Sequence, residues 1–114
     1  RLVVSCVWWA LSALTNTQRV QFIRAPAFVP EQEIVTYVVR VPRHQENREL
    51  IVAALEAGLV VSETRRDLDG YSPSLVNLRW RLPAGEILLV AVLYDAERQV
   101  GRDTHRVTVY ERGP

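Results

Sequence analysis

The chain has 114 residues, a formal net charge of +1 and a single cysteine. The length indicates one domain, and 48% hydrophobic with 24% charged residues is typical of a folded protein. The near-neutral balance provides no global field to attract nucleic acid, so we expect no nucleic-acid partner. One cysteine excludes an intrachain disulfide, so the hydrophobic core alone must hold the fold.

The first residues form an apolar segment. Leu2 to Leu14 is 13 residues long, carries no charge and follows Arg1. As a helix it would span roughly 20 Å, short of a bilayer core of about 30 Å, but it matches the hydrophobic part of a signal peptide. We therefore predict that residues 1–18 are a signal-peptide-like or anchor segment, and that the protein is secreted or periplasmic, with a membrane anchor as one alternative. A buried element of the domain is the other alternative, and Cys6 is interpreted as a small buried hydrophobe.

Residues 19–114 are predicted to form the domain, and its first half contains two strand patterns. Arg19 to Ala25 alternates between apolar and polar side chains, and Pro26 and Pro30 then place this stretch at a sheet edge. The clearest strand is Glu33 to Val41, whose predicted inward side chains are Val35, Tyr37, Val39 and Val41.

The segment Glu49 to Ala57 is ambiguous. Its Ala, Leu and Glu content favours a helix, which Asn47 would cap and Gly58 would end. Its short length and its β-branched residues favour a central strand buried on both faces, with the helix as the alternative.

The second half of the domain alternates strands with turn signals. The pattern from Leu75 to Leu82 points one set of side chains to the core: Val76, Leu78, Trp80 and Leu82. The other predicted elements are a short strand at Leu59–Glu63, a loop at Arg65–Ser74, a turn at Pro83–Gly85, a central strand at Ile87–Tyr94, a hairpin loop at Asp95–Gly101 and a closing strand at Thr104–Tyr110 with Val107 and Val109 inward. About seven strands at this spacing predict an all-β antiparallel sandwich.

Two segments resemble a known class of domain. In the segment from Trp80 to Ala91, an aromatic strand turns through Gly85 into an alternating strand. This segment resembles the penultimate hairpin of bacterial immunoglobulin-like and fibronectin type III-like domains. Val100 to Val109 resembles their last strand. The resemblance implies an immunoglobulin-like β-sandwich. It departs from antibody domains, because the inter-sheet cysteine pair is absent and Ile87 occupies the tyrosine-corner position.

The sequence contains no strong metal or catalytic signature. His44 and His105 lie in polar segments that we expect to be exposed, and one cysteine with two isolated histidines falls short of a zinc site, so no metal or cofactor is predicted. Asp67 to Gly70 begins like a calcium loop but lacks its later ligands, which favours an Asp-Gly turn. Calcium shared with Asp95 or Glu97 is the alternative.

The sequence contains arginines that are candidates for charged surfaces. Arg79 and Arg81 are predicted to lie on one exposed face with Trp80 on the other, whereas Arg65–Arg66, Arg102 and Arg106 are candidates for a modest anion-binding patch. No nucleophile elbow occurs, so we expect a non-enzymatic binding or structural module acting on another protein or a glycan. The alternatives are a membrane-anchored accessory subunit of a larger complex and a hydrolase or carbohydrate-processing accessory with its site in the Arg65–Ser74 and Asp95–Gly101 loops.

Overall fold

Two β-sheets pack face to face in the computed structural model, which describes residues 20–68 and 75–112. These residues contain no helix, which confirms the all-β immunoglobulin-like sandwich expected from the sequence. Eight strands are found in these ranges, one more than the approximate number expected. They are β1 (Gln21–Arg24), β2 (Phe28–Pro30), β3 (Val35–Arg40), β4 (Glu49–Glu56), β5 (Leu59–Asp67), β6 (Leu75–Trp80), β7 (Gly85–Tyr94) and β8 (Gln99–Tyr110).

The chain passes from one sheet to the other near Pro26, between β1 and β2. The smaller sheet has the order β1-β3-β6 and the larger one has the order β2-β8-β7-β4-β5, so β1 and β2 both lie at sheet edges, as the prolines predicted. The pairing of β2 with β8 is parallel, whereas every other pairing is antiparallel. The prediction of a purely antiparallel sandwich is therefore corrected at this one edge.

The ambiguous segment is strand β4, which lies between β5 and β7. Its burial alternates, with Leu50, Val52 and Ala54 at most 1% exposed and the residues between them half-buried. The strand interpretation is thus confirmed, while burial on both faces is only half correct. Pairing on both sides satisfies the backbone of β4, and this outweighs the helix propensity of its Ala, Leu and Glu residues.

The core lies between the two sheets and follows the predicted alternation. Tyr37 is fully buried and its ring lies 6.1 Å from that of Trp80, measured between centroids. Large-sheet residues such as Leu89 and Leu93 pack against this layer. All but one of the side chains that the pattern placed inward are buried: Tyr37, Val39, Val41, Val76, Leu78, Trp80, Leu82, Val107 and Val109. The remaining one, Val35, is partly buried against the core.

Two predicted loops are shorter than expected because the β-ladders run further. Arg65 and Arg66 belong to β5, where they pair with Ile51 and Leu50 of β4, so the loop cannot begin at residue 65. Strand β8 begins at Gln99, so the β7–β8 loop is confined to residues 95–98. The predicted segment 1–18 with Cys6, and the Asp69-Gly70 turn, lie outside the described residues.

Candidate binding surface

The side of the large sheet that faces away from the core is aliphatic at its centre. Because successive strand residues point to opposite faces, the buried positions of β4 and β7 alternate with outward ones that are half-buried. The ladder sets them in three cross-strand pairs. We name these six residues the apolar outer face: Ile51, Ala53 and Leu55 of β4, with Val92, Val90 and Leu88 opposite them on β7.

Polar side chains border this face on both sides. Along β8, Arg102, Thr104 and Arg106 stand beside the β7 row. Along β5, Arg65 binds Glu63 with Nε and a carboxylate oxygen 2.9 Å apart, and its Nη1 lies 3.5 Å from a carboxylate oxygen of Glu49. The hydrogen bond and charge of Glu63 raise the pKa of Arg65. An aliphatic centre with a charged rim is the usual anatomy of a protein-binding patch.

A shallow pocket of about 240 Å³ lies at one end of the apolar outer face. The face contributes Leu55 and Leu88, and the polar rim contributes Glu86 and Arg106. The remaining lining is Ile87 and the β4–β5 turn, where Gly58 has a φ of 83°. The pocket thus extends the aliphatic surface toward a charged margin, where a partner side chain has an apolar floor and polar groups at its rim.

Gly85 marks the start of β7 beside this pocket. Its φ of 140° is rare for residues with a side chain, and a Cβ at this position would overlap the carboxylate of Glu56. The φ of Gly85 is the reason why this turn favours glycine, because the flexible end of the Glu56 side chain can move aside. The sequence predicted a tight turn here, but the contact with Glu56 depends on the β4–β7 pairing.

A second apolar surface lies on β5, the edge strand of the large sheet. Leu59, Val60 and Val61 are 72%, 56% and 37% exposed. Trp80 Nε1 donates a hydrogen bond of 3.1 Å to the Thr64 hydroxyl, which holds β5 against the smaller sheet. The sequence had assigned only the start of this strand and did not identify it as an edge.

His105 does not lie where the sequence analysis placed it. Instead of being exposed, it is half-buried, its Nε2 is buried with no hydrogen-bond partner among the described residues, and its ring lies 6.0 Å from that of Phe22. Asp103 shares this inward row and accepts a hydrogen bond of 2.9 Å from the Phe22 N–H. The alternation that placed Val107 and Val109 inward would have revealed both residues, had it been followed toward the start of β8.

The Tyr37 hydroxyl is also buried without a hydrogen-bond partner in the described part of the chain. Burial raises the pKa of Tyr37 to about 12. The aromatic ring contributes apolar contacts to the core. Its hydroxyl loses its hydrogen bonds to water on folding, and no hydrogen bond within the described residues replaces them.

The structure does not bring the remaining candidate residues together. His44 is exposed and accepts a 3.1 Å hydrogen bond from the Glu46 N–H at Nδ1. Asp95 accepts hydrogen bonds of 2.8 Å from the N–H groups of Glu97 and Arg98, which lower its pKa and close the β7–β8 loop. Within residues 20–68 and 75–112, no three His, Cys, Asp or Glu side chains are placed to hold a metal ion.

The arginine candidates separate into different surfaces. Arg65 and Arg66 lie on β5, whereas Arg102 and Arg106 lie on β8, with β4 and β7 between them. Three strand spacings correspond to about 14 Å, so these arginines do not form the single anion-binding patch for which they were candidates. The other prediction is confirmed, because Arg79 and Arg81 are exposed while Trp80 is buried.

Comparisons with known proteins give a fold and no family. No family model matches the chain, and no curated protein matches it. Solved structures do match. Superoxide reductase (neelaredoxin) from Ignicoccus hospitalis has a TM-score of 0.66 at 18% identity, covering 85% of each chain. The sulfur carrier protein SoxY from Chlorobium limicola f thiosulfatophilum has a TM-score of 0.60 at 19% identity, over 93% of this chain and 97% of that one.

A third similar structure is an immunoglobulin-like domain. It is the CARDB domain of a Pyrococcus furiosus protein in complex with di-metal ions, with a TM-score of 0.52 at 15% identity over 84% of this chain and 93% of that chain. The chain is therefore an immunoglobulin-like β-sandwich by architecture. At identities this low, the likeness extends to the fold and not to the activity of any of the three. The described residues include no helix long and apolar enough to cross a membrane.

Proposed function

We propose that this chain is a non-enzymatic binding module of an exported protein, and that it docks on another protein through the apolar outer face. The observation that carries the proposal is the three-by-two block of aliphatic side chains on the solvent side of β4 and β7. In a sandwich, the outward positions of central strands are normally polar. A contiguous apolar patch with a polar rim is typical of an interaction site.

A protein fits this surface better than a glycan does. A sugar presents many hydroxyl groups that need hydrogen-bond partners, and side chains such as Ala53, Val90 and Val92 offer none. An aliphatic partner surface needs none and gains free energy from apolar area removed from water. The pocket between Leu55, Leu88 and Arg106 offers a place for one anchoring side chain of the partner.

Site-specific photo-crosslinking in the native cells tests the docking proposal. A photo-reactive amino acid at Val90 or Ala53 is expected to crosslink the same protein. The matched control is Leu75, which is 47% exposed on the smaller sheet and should not crosslink that protein. Val90→Arg should abolish the crosslink from Ala53, while Leu75→Arg should leave it. Crosslinks at Leu75 equal to those at Val90 would reject the outer face as the docking site.

Export and anchoring are tested by fractionation with N-terminal sequencing of the native protein. A start near Ala13 in an extracytoplasmic soluble fraction is expected for a cleaved signal peptide. Retention of Leu2 to Leu14 in membranes would support the second candidate, a membrane-anchored accessory subunit in which this uncharged apolar segment is the anchor. Retention in the cytosol would contradict export.

A further inference from the structure

Strand β5 presents half of its backbone groups to an open sheet edge. The Leu68 N–H donates a 2.8 Å hydrogen bond to the Arg48 carbonyl, which directs the backbone of Leu68 toward β4. In an antiparallel ladder this direction alternates, and the register from Glu49 to Ala54 is regular. Glu63, Arg65 and Asp67 therefore point their N–H and C=O groups away from β4. Within the described residues no other strand pairs with that edge.

The charges along this edge fit a second copy of the same strand in one register. In a two-fold antiparallel pairing of β5 with β5 of a second copy, residues whose numbers sum to a constant lie opposite each other. Centring on Glu63 or on Arg65 would place like charges face to face, which is unfavourable. Centring on Thr64 places Glu63 of each copy opposite Arg65 of the other. The edge is thus self-complementary in this register, which spans residues 61–67.

We propose that the protein forms a symmetric dimer in which the two β5 strands pair antiparallel across Thr64, with reciprocal Glu63–Arg65 contacts. Exposed Val61 lies at the end of the paired segment and loses solvent contact there. The two large sheets become one continuous sheet. Because the two-fold axis is perpendicular to it, the apolar outer faces of both copies lie on the same side.

This inference goes beyond the proposed function, because it uses the backbone edge of β5 with Glu63 and Arg65 of the polar rim, and not the six residues of the apolar outer face. Each copy already has an internal Glu63–Arg65 ion pair of 2.9 Å, so a single charge change alters contacts within as well as between copies. A mixing experiment separates the two effects. Glu63→Arg gives two arginines on the edge, and Arg65→Glu gives two glutamates, so each variant repels itself but complements the other.

The experiment measures the mass of each species by light scattering after gel filtration and by sedimentation velocity. The wild-type protein is expected to dimerise. The Glu63→Arg and Arg65→Glu variants should each be monomeric, with dimer dissociation constants raised about tenfold or more. Their equimolar mixture should restore the dimer, and so should the double variant Glu63→Arg/Arg65→Glu. The matched control Arg79→Glu, an exposed charge reversal on the smaller sheet, should remain dimeric.

Several results would overturn the proposal. A wild-type protein that is monomeric at about 100 μM would mean that the charges protect the edge from pairing. Monomeric protein with a crosslink from position 63 to a different protein would identify an added peptide strand as the occupant. A dimer lost in Val90→Arg but retained in both charge variants would place the interface on the outer face. Circular dichroism checks that every variant keeps the wild-type fold.

Discussion

The two faces of the β4–β7 pair have similar side chains and opposite environments. Toward the core, Leu50, Val52 and Leu89 are at most 1% exposed. Toward solvent, neighbours such as Ile51 and Val90 are equally aliphatic but only half-buried. The inner face is covered by the smaller sheet, whereas nothing in the described part of the chain packs as a layer on the outer one. Aliphatic composition thus indicates that a strand is central, but not which of its faces is the core.

The largest effect is expected when the two faces are compared by the same substitution, valine to alanine, at one position on each face. Val52→Ala, on the inner face, should lower the free energy of unfolding by about 2 kcal/mol, because it removes two buried methyl groups and leaves a cavity. Val90→Ala, on the outer face, should cost less than about 1 kcal/mol. Urea denaturation with an unchanged m-value measures both. Equal losses would contradict the assignment of the two faces, because they would require a packed layer over Val90.

The second effect concerns the hydroxyl of Tyr37, which is buried on the inner side. Because the pKa of Tyr37 rises from 10.0 to about 12 on folding, its stabilising contribution is fully present below pH 10. It is lost as the pH rises from about 10 to about 12, because the unfolded chain releases this proton first. The free energy of unfolding should fall by up to about 2 kcal/mol over this window.

The matched control for this pH effect is Tyr37→Phe. In this variant the free energy of unfolding should no longer show the additional fall above pH 10 that Tyr37 causes. The other tyrosines are unchanged. It should also be close to wild type in stability at neutral pH, because it removes a hydroxyl that has no partner. Unfolding curves measured at several pH values for both proteins decide the matter, and identical slopes would reject the role of Tyr37.

A smaller effect is expected where β5 meets the smaller sheet. Thr64→Val keeps the shape of the side chain but removes the acceptor of the Trp80 Nε1 hydrogen bond. We expect the free energy of unfolding to fall by about 1 kcal/mol. Relative to the wild type, hydrogen exchange should accelerate more in β5 than in β7. Ser62→Ala, also half-buried on β5, is the control and should change little. Unchanged exchange in Thr64→Val would show that this bond does not hold the edge strand in place.

The smallest effect is expected at the β7–β8 loop. Asp95→Ala removes the acceptor of two backbone N–H groups, from Glu97 and Arg98, in an exposed turn. The expected loss is about 0.5 kcal/mol at neutral pH. Since these bonds lower the pKa of Asp95, the difference from wild type should shrink as the pH falls through that lowered value. A difference that persists in strong acid would contradict this account.

Much of the fold could be predicted because side-chain alternation is a local property. The pattern from Leu75 to Leu82 placed Val76, Leu78 and Trp80 in the core, and all three are buried there. The edge position of the Pro26–Pro30 stretch followed from the missing N–H of proline. The ends of β5 and β8 could not be read in this way, because polar residues such as Arg65 and Arg102 are in strands only through pairing with β4 and β7.

The candidate surfaces were less accessible to sequence reasoning. The segment from Ile87 to Tyr94 was correctly identified as an apolar central strand, but half of its side chains lie on the outer face. His105 was expected to be exposed because its sequence neighbours are polar, yet every second one of them points away from the core. The edge position of β5 depends on strand order, which no local pattern encodes.

The sequence by itself determined that this protein is a β-sandwich, because two-residue alternation and turn residues act within a few positions of each other. It also determined the inward sets of β6 and the end of β8. Only the tertiary structure decided which face of β4 and β7 is covered, which strand is left at the edge, and which arginines are neighbours. These depend on contacts between segments far apart in the chain, whose order in a sheet is settled by packing the whole core at once.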